Sequence, residues 1–223
     1  MQSATLRYSK RIRGVRTVGA VMLAMLVLSL VVSGLERDLA YVVMREDGWV
    51  ESATLVFYAM ALIGCLYMMW SRHWPAAWSG ALLIVATMLR ELDAHKTFTL
   101  YSLSSIRYWR SDFVSGLEKG GIVAIMLVLT ILVVRAAWPP FWRRLRAAEP
   151  HAVTLAGISA LIATSLILDA IHFDYSPGKV SLFLWAVEET FEMGIPICIL
   201  VALIQWELHV RRARGAGMLE NDR

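Results

Sequence analysis

Cysteine is scarce in this chain, and charged residues are few. The two cysteines, Cys65 and Cys198, both lie inside apolar runs, so neither fits one half of an extracellular disulfide framework. Charged residues make up 18% of the chain, and the sequence contains no low-complexity tract and no segment suited to a soluble domain. These absences exclude a disulfide-stapled secreted fold and indicate a protein with short loops.

Apolar residues dominate instead. They form 58% of the sequence, with a mean hydropathy of +0.57, whereas a soluble domain has about 45–50%. Six runs approach the ~20 residues that a helix needs to cross a hydrocarbon core of about 30 Å. We predict an all-α, polytopic integral membrane protein, a single membrane domain (1–223) with six transmembrane helices in one bundle. The predicted spans are 17–35, 51–70, 76–96, 120–137, 152–173 and 182–205.

The N-terminal region is basic and is followed directly by the first apolar run. Residues 1–16 contain five Lys or Arg residues and no acid, a pattern that also begins a secretory signal peptide. The run 17–35 is longer than the ~7–15 residues of a signal peptide, however, and no A-x-A cleavage site follows it. We therefore predict that the first run is an uncleaved transmembrane helix.

Lysine and arginine are distributed unevenly between the predicted loops. They concentrate in 1–16, 135–146 and 211–223, which the six-span topology places on one side, while most acids lie on the other side. The positive-inside rule then makes both termini cytoplasmic. The nine tryptophans, Trp206 among them, lie near predicted span ends, as interface residues do. The segment 138–147 is predicted to be a loop that anchors the chain at the interface.

The last run carries three acids within its apolar sequence. Glu188, Glu189 and Glu192 lie in the first half of 182–205, where each carboxylate costs about 2.5–3.5 kcal/mol on insertion scales. Their spacing of three and four residues puts them toward one side of a helix. We expect that side to face polar groups from the other spans rather than lipid.

Acids and histidines also mark the ends of three other spans. Under the predicted topology, these groups and the glutamates of the last span meet at one depth, in the outer leaflet. The predicted metal-binding site comprises Glu51, Glu91, His95, Asp169, His172, Glu188 and Glu192.

Two acid–histidine pairs in this set have metal-ligand spacing. Glu91 and His95 are four residues apart, and Asp169 and His172 are three apart, so each pair shares a helical face and can hold one cation. Carboxylate with imidazole suits Zn, Fe or Mn, whereas carboxylates alone suit Ca or Mg. We expect a divalent metal cofactor, with Ca less favoured and the identity open.

Two other interpretations of the cluster stay open. Arg90 and Lys96 lie close to the acids in sequence and would pair with them in a structural salt-bridge network. Alternatively, the carboxylates would be proton-coupled groups with raised pKa values. His73, His151 and His209 fall on the predicted cytoplasmic side, and we assign them no role.

The depth of the polar groups separates the candidate functions. Apart from Arg135 at the inner end of the fourth predicted span, no charged residue lies in the inner half of a predicted span, whereas a transporter needs polar groups across the membrane. We expect a hydrolase-like site acting on a lipid or amphiphile from the outer leaflet, with metal-activated water and Glu188 or Glu192 as general base. Alternatives are a non-enzymatic cation-binding sensor, assembly factor or partner subunit, and a cation transporter. Expected partners are the bilayer, a lipid substrate or a membrane protein, and no nucleic acid.

Short motifs carry one family resemblance. The strings REDGWVESATLVFYAMAL, LRELDAH and EETFEM resemble small bacterial inner-membrane proteins of uncharacterised function, which share an acidic-Asp-Gly-x-x-Glu start to one helix. The resemblance implies a multi-pass protein of the bacterial inner membrane and implies no activity. The chain lacks the H-x-x-x-H of alkaline-ceramidase-like hydrolases. It also has Met193 where intramembrane proteases with paired glutamates have arginine.

Overall fold

The computed structural model describes residues 2–45, 48–71, 74, 77–92, 110, 114–170 and 179–215. Regular structure in this part of the chain is entirely α-helical, which confirms the predicted all-α class. The helices are α1 (Gln2–Ser33), α2 (Arg37–Met44), α3 (Trp49–Trp70), α4 (Ala77–Glu91), α5 (Gly116–Arg146), α6 (Pro150–Ala170) and α7 (Lys179–Gly215).

Among the described residues, four helical stretches are long and apolar enough to cross a membrane: Arg11–Ser33, Arg37–Trp70 (which comprises α2 and α3), Gly116–Arg146 and Val180–Gly215. Two shorter helical stretches, Ala77–Leu89 and Pro150–Ser165, are also apolar. Each of the six predicted runs overlaps one of these helices, so the membrane character of the sequence is confirmed. The count of six spans and the side of the termini stay predictions.

Helix α5 is longer than its sequence indicates. The prediction of a loop over 138–147 is wrong, because α5 continues through Pro139 and Pro140 to Arg146. The fixed φ angle of proline is close to that of a helix, so the backbone can stay helical there, although each proline removes one helical hydrogen bond.

A Schellman turn ends α5 and leads directly into α6. The N–H of Ala148 donates to the carbonyl of Leu145 (2.9 Å), and the N–H of Glu149 donates to that of Arg144 (3.1 Å), which is the hydrogen-bond pattern of this motif. Ala148 has a φ of 56°, the left-handed conformation that the motif requires. Pro150 then occupies the first position of α6, where its missing N–H has no helical partner to lose.

The chain divides into two compact units. The first contains Met1–Gly64 and Trp142–Arg223, and the second contains Cys65–Phe141. In the first unit α1, α6 and α7 pack on one another, and α2 packs on α1 and α7. The predicted single bundle stays a prediction.

Close contacts between small residues set the direction of α1 and α6. A Cβ atom on Gly14 would lie 2.6 Å from the Cβ of Val153, and one on Gly157 would collide with the side chain of Val18. Later positions on α1 therefore meet later positions on α6, so the two helices are parallel. The approach is close because neither glycine has a side chain.

Helix α7 runs antiparallel to both. Thr190, near its start, contacts Ser29 in the second half of α1, whereas Gln205 contacts Thr17 in the first half. The start of α1, the start of α6 and the end of α7 therefore lie at the same end of the first unit. The core cluster of this unit is formed by Val21, Met25, Val50, Ile158, Leu161, Val187, Phe191, Met193 and Cys198.

The second unit joins the last turns of α3 to α4 and most of α5. Cys65 on α3 and Ile84 on α4 are buried, and a Cβ on Gly80 would lie 3.5 Å from the Cys65 sulfur. The apolar side chains of α5 are largely exposed, for example Leu127 at 58%. Such a continuous exposed apolar surface suits contact with lipid and is rare on soluble monomers.

We expect Gly14→Ala to destabilise the protein by about 1–3 kcal/mol, the usual effect of overpacking. The added methyl group would meet the Cβ of Val153 and the carbonyl oxygen of Pro150, which lies 2.8 Å away and belongs to the backbone. Gly19→Ala is the matched control on the same helix, because no atom lies within 4 Å of a Cβ at that position. Unfolding in mixed detergent micelles measures both, and equal stability of the two variants would contradict the close packing of α1 on α6.

Candidate functional site

The three glutamates of α7 lie within one continuous helix. Glu188, Glu189 and Glu192 are half-buried, and the expectation that they share a side facing polar groups of other spans rather than lipid stays a prediction. Thr190, which lies among them in sequence, is fully buried and faces α1. The helix therefore directs a threonine into the bundle, while the glutamates occupy other sides of α7.

Glu192 is held by a serine of α6. The hydroxyl of buried Ser165 donates a hydrogen bond of 2.8 Å to the Glu192 Oε1 atom. Bonds to a charged acceptor are roughly twice as strong as neutral ones, so this contact ties α6 to α7 at a defined level.

The same contact determines which other residues are level with each other. Because α6 and α7 are antiparallel, the position four residues after Ser165 lies level with the position four residues before Glu192. These positions are Asp169 and Glu188. The backbone of Asp169 is part of α6, while its side chain lies outside the described part of the chain.

Glu189 has a different partner. The indole Nε1 of Trp185, one turn earlier on α7, donates to the Glu189 Oε1 atom at 3.1 Å. The Trp185 ring packs against Tyr41 of α2, with ring centroids 5.8 Å apart and planes inclined by 58°. The carboxylates of Glu189 and Glu192 therefore contact different parts of the unit.

Hydroxyl groups link α7 to α1 at the level of the glutamates. The hydroxyls of Ser29 and Thr190 are 2.6 Å apart and fully buried. Ser29 also lies 2.8 Å from the carbonyl oxygen of Met25, and Thr190 lies 2.7 Å from that of Ala186. Both hydroxyls therefore have acceptors, and no net charge is introduced between the helices.

Gln205 joins three helices nearer the other end of α7. The hydroxyl of Thr154 on α6 donates to its Oε1 atom at 2.9 Å, and its Nε2 atom donates to the hydroxyl of Thr17 on α1 at 3.0 Å. In the sequence, Gln205 is the last residue of the predicted span 182–205. Its role as a tie between three helices depends on the tertiary structure.

The predicted site residues are divided between the two units. Glu51 lies in the first turn of α3, next to Val50 of the first unit's core cluster. Glu91 is the last residue of α4 in the second unit. Both are half-buried. His95 and His172 lie outside the described residues.

The metal prediction depends on those histidines. Within the described ranges, no group of three or more His, Cys, Asp or Glu side chains is arranged to hold a metal ion. The donors that the structure brings together on α6 and α7 are oxygen atoms, whereas the imidazoles that favour Zn, Fe or Mn belong to positions 95 and 172. The divalent metal centre stays a prediction.

A second cluster, which was not predicted from the sequence, lies at the opposite end of the first unit. His151 on α6 and Trp206 on α7 are buried, at 4% and 7% exposure, although the sequence indicated no role for the histidine and an interface position for the tryptophan. Arg144, Glu149 and His209 surround them. The sequence signal was a histidine at a helix start directly after Glu-Pro, which by itself does not indicate burial.

Comparison with known proteins identifies no relative of this chain. No protein-family model, no curated protein and no solved structure matches the chain. The fold and the site define its class by their physical properties alone: an α-helical protein with membrane-type helices and with carboxylates inside its most buried long helix.

We expect Ser165→Ala to destabilise the protein by about 1.5–3 kcal/mol, because the half-buried carboxylate of Glu192 loses a donor. Thr164→Ala on the same helix is the control, since the Thr164 hydroxyl donates to the Ala160 carbonyl of its own helix, and its effect is expected to stay within about 0.5 kcal/mol. Combining Ser165→Ala with Glu192→Gln tests the pair directly. Strictly additive effects in detergent unfolding would contradict an energetic coupling between the two side chains.

Proposed function

We propose that this chain is a multi-pass protein of the bacterial inner membrane, with cytoplasmic termini and a carboxylate/histidine site at the periplasmic face that binds a divalent cation. The distribution of charge in the first unit supports this orientation. Arginines gather where α1 begins and where α5 and α7 end, and the positive-inside rule assigns that end to the cytoplasm. They are Arg11, Arg13, Arg16, Arg143, Arg144, Arg146, Arg211, Arg212 and Arg214.

The observation that carries the proposal is the contact between Ser165 and Glu192. Its register makes Asp169 level with Glu188 on the neighbouring helix, and His172 follows Asp169 by three residues. Carboxylates on adjacent helices repel each other in a low-dielectric environment unless a cation or a proton lies between them. A bound divalent cation removes this repulsion and explains why acidic residues occur within an apolar span.

The oxygen donors in the described residues fit a hard divalent cation, and the histidines, if they join them, fit Zn, Fe or Mn. A bound cation of this kind supplies water of lowered pKa. Glu192, whose carboxylate already accepts from Ser165, is suited to binding, and Glu188 is the candidate general base. The proposed substrate is a lipid or other amphiphile that enters from the outer leaflet.

Metal analysis of the purified protein tests the cation site. We expect the wild type to carry about one divalent ion per chain, and both the pair His95→Ala with His172→Ala and the pair Glu188→Gln with Glu192→Gln to lose it. Glu207→Gln is the matched control, because Glu207 lies on the same helix at the opposite end and pairs with Arg211 at 2.8 Å. The proposal fails if the wild type binds no ion after incubation with Zn, Mn or Fe.

Turnover of lipid vesicles tests the enzymatic part separately. We expect Glu188→Gln to lower the hydrolysis rate by about 100-fold or more while the ion is retained, since loss of a general base usually has an effect of this size. A wild type that binds the ion without turning over lipid would instead support a cation-binding sensor or partner subunit. In that case Glu192→Gln is expected to weaken co-purification of a membrane partner.

A further inference from the structure

A buried histidine lies at the basic end of the first unit, away from the glutamates of α7. His151 is the second residue of α6 and its side chain is 5% exposed. Its Nε2 atom lies 3.2 Å from the Oε2 atom of Glu149 in the preceding turn. Both ring nitrogens are buried, and neither has a hydrogen-bond partner of suitable geometry among the residues that the structure describes.

The His151 ring contacts the last part of α7. It packs edge-on against Trp206, with ring centroids 4.6 Å apart and planes at 88°, and the His209 ring lies 6.1 Å away. The guanidinium carbon of Arg144, from the end of α5, lies 3.5 Å from the centroid of Trp206. His151 is therefore enclosed by the turn between α5 and α6 on one side and by α7 on the other.

The charges around the ring come from three elements. Glu149 belongs to the turn, Arg144 to α5 and His209 to α7. Helix α1 also packs on the start of α6, where Gly14 lies against Pro150, and its flanking Arg11 and Arg13 are exposed. One carboxylate thus favours a charged imidazole, while Arg144 and, when protonated, His209 oppose it.

We propose that His151 is an acid-sensitive latch that holds the last turns of α7 against the α5–α6 turn while its ring is neutral and releases them when the ring is protonated. We place the hydrogen of the neutral ring on Nε2, the nitrogen that lies 3.2 Å from the Glu149 carboxylate, so that Nδ1 carries only a lone pair. A proton on Nδ1 creates a buried donor without an acceptor and a second positive charge near Arg144. Both changes raise the free energy of the closed arrangement. Exposure of the ring to water removes this cost.

The expected titration follows from burial and charge together. Burial lowers the pKa of His151 below its ordinary 6.5, Arg144 and His209 lower it further, and Glu149 opposes them. Burial alone would raise the pKa of Glu149, but contact with His151 and the charges of His209 and Arg144 leave this pKa lowered. Both residues precede position 152, where the predicted span begins.

These shifts fix the sign of the pH dependence. The closed state binds a proton at His151 less readily than the open state does, so the latch is fully stable above pH 6.5 and loses stability as the pH falls below that value. Glu149, whose pKa is also lowered, adds a second loss only at lower pH, below its ordinary 4.5. Opening in the range just below pH 6.5 is therefore controlled by the histidine.

Fluorine NMR of the full chain in detergent micelles, labelled with 5-fluorotryptophan, tests the proposal. The Trp206 resonance is assigned by its disappearance in Trp206→Phe. We expect this resonance to move with a midpoint below pH 6.5 between about pH 8 and about pH 5, and to stop titrating in His151→Gln. His209→Gln, which removes the exposed histidine at the same end, is expected to retain the titration.

A Trp206 resonance that stays constant over this range, or that titrates equally in His151→Gln, would overturn the latch. Should His151→Gln fail to fold, Glu149→Gln decides the question. The carboxylate raises the pKa of His151 in the closed state, so its loss widens the difference in proton affinity between the closed and open states and is expected to move the midpoint of opening to higher pH. A midpoint that moves to lower pH in Glu149→Gln contradicts the proposal.

A distance measurement tests separately whether the last turns of α7 move away from the α5–α6 turn. Ala147 in the turn and Leu208 on α7 are exposed, so both accept a spin label after replacement by cysteine, in a chain where Cys65 and Cys198 are replaced by alanine. We expect the distance between the labels to lengthen on acidification in the wild-type background and to stay constant in His151→Gln. A constant distance in both backgrounds would show that His151 titrates without releasing α7.

Discussion

The constraint on which the first unit depends is the presence of charged and polar side chains inside an apolar helix. Apolar side chains do not by themselves favour one helix neighbour over lipid, so helices in a bilayer associate through close packing and hydrogen bonds. Helix α7 uses both. Its Glu192 accepts a hydrogen bond from Ser165 of α6. At Gly194, the Cγ atom of Met25 on α1 lies only 3.1 Å from the position that a Cβ atom would occupy, so the absence of a side chain permits this close approach. These contacts select one rotation and one height for α7.

The polar ties of α7 occur at separate levels along its length. Thr190 with Ser29, and Glu192 with Ser165, lie near the acidic end, while Gln205 with Thr17 and Thr154 lies further along. A single tie would permit α7 to pivot. Ties at different levels, directed to both α1 and α6, restrict tilt as well as rotation. The glutamates at one end and the His151–Trp206 contact at the other therefore belong to the same helix, which is held at several points.

The two ends of the first unit carry opposite chemistry. Carboxylates, a tryptophan and a tyrosine lie at the end where α7 begins, and arginines lie where it ends, with the half-buried Glu149 beside the buried His151. The cation site that we propose belongs to the acidic end, where half-buried carboxylates would gain from a bound positive charge. The basic end has the properties of a proton-sensitive contact, because the enclosed imidazole of His151 lies between one carboxylate and one guanidinium. Neither role requires the other.

The sequence by itself determined the helical class, the membrane character of the long runs and the concentration of arginine at one end, because hydrophobic length and charge are local properties of a chain. It also located the glutamates of α7 and predicted that they avoid lipid. Only the tertiary structure decided that Ser165 contacts Glu192, that α5 continues past Pro139 and Pro140, and that His151 and Trp206 are buried. Such facts depend on which helices approach each other and at what height, and no spacing within a single helix encodes that.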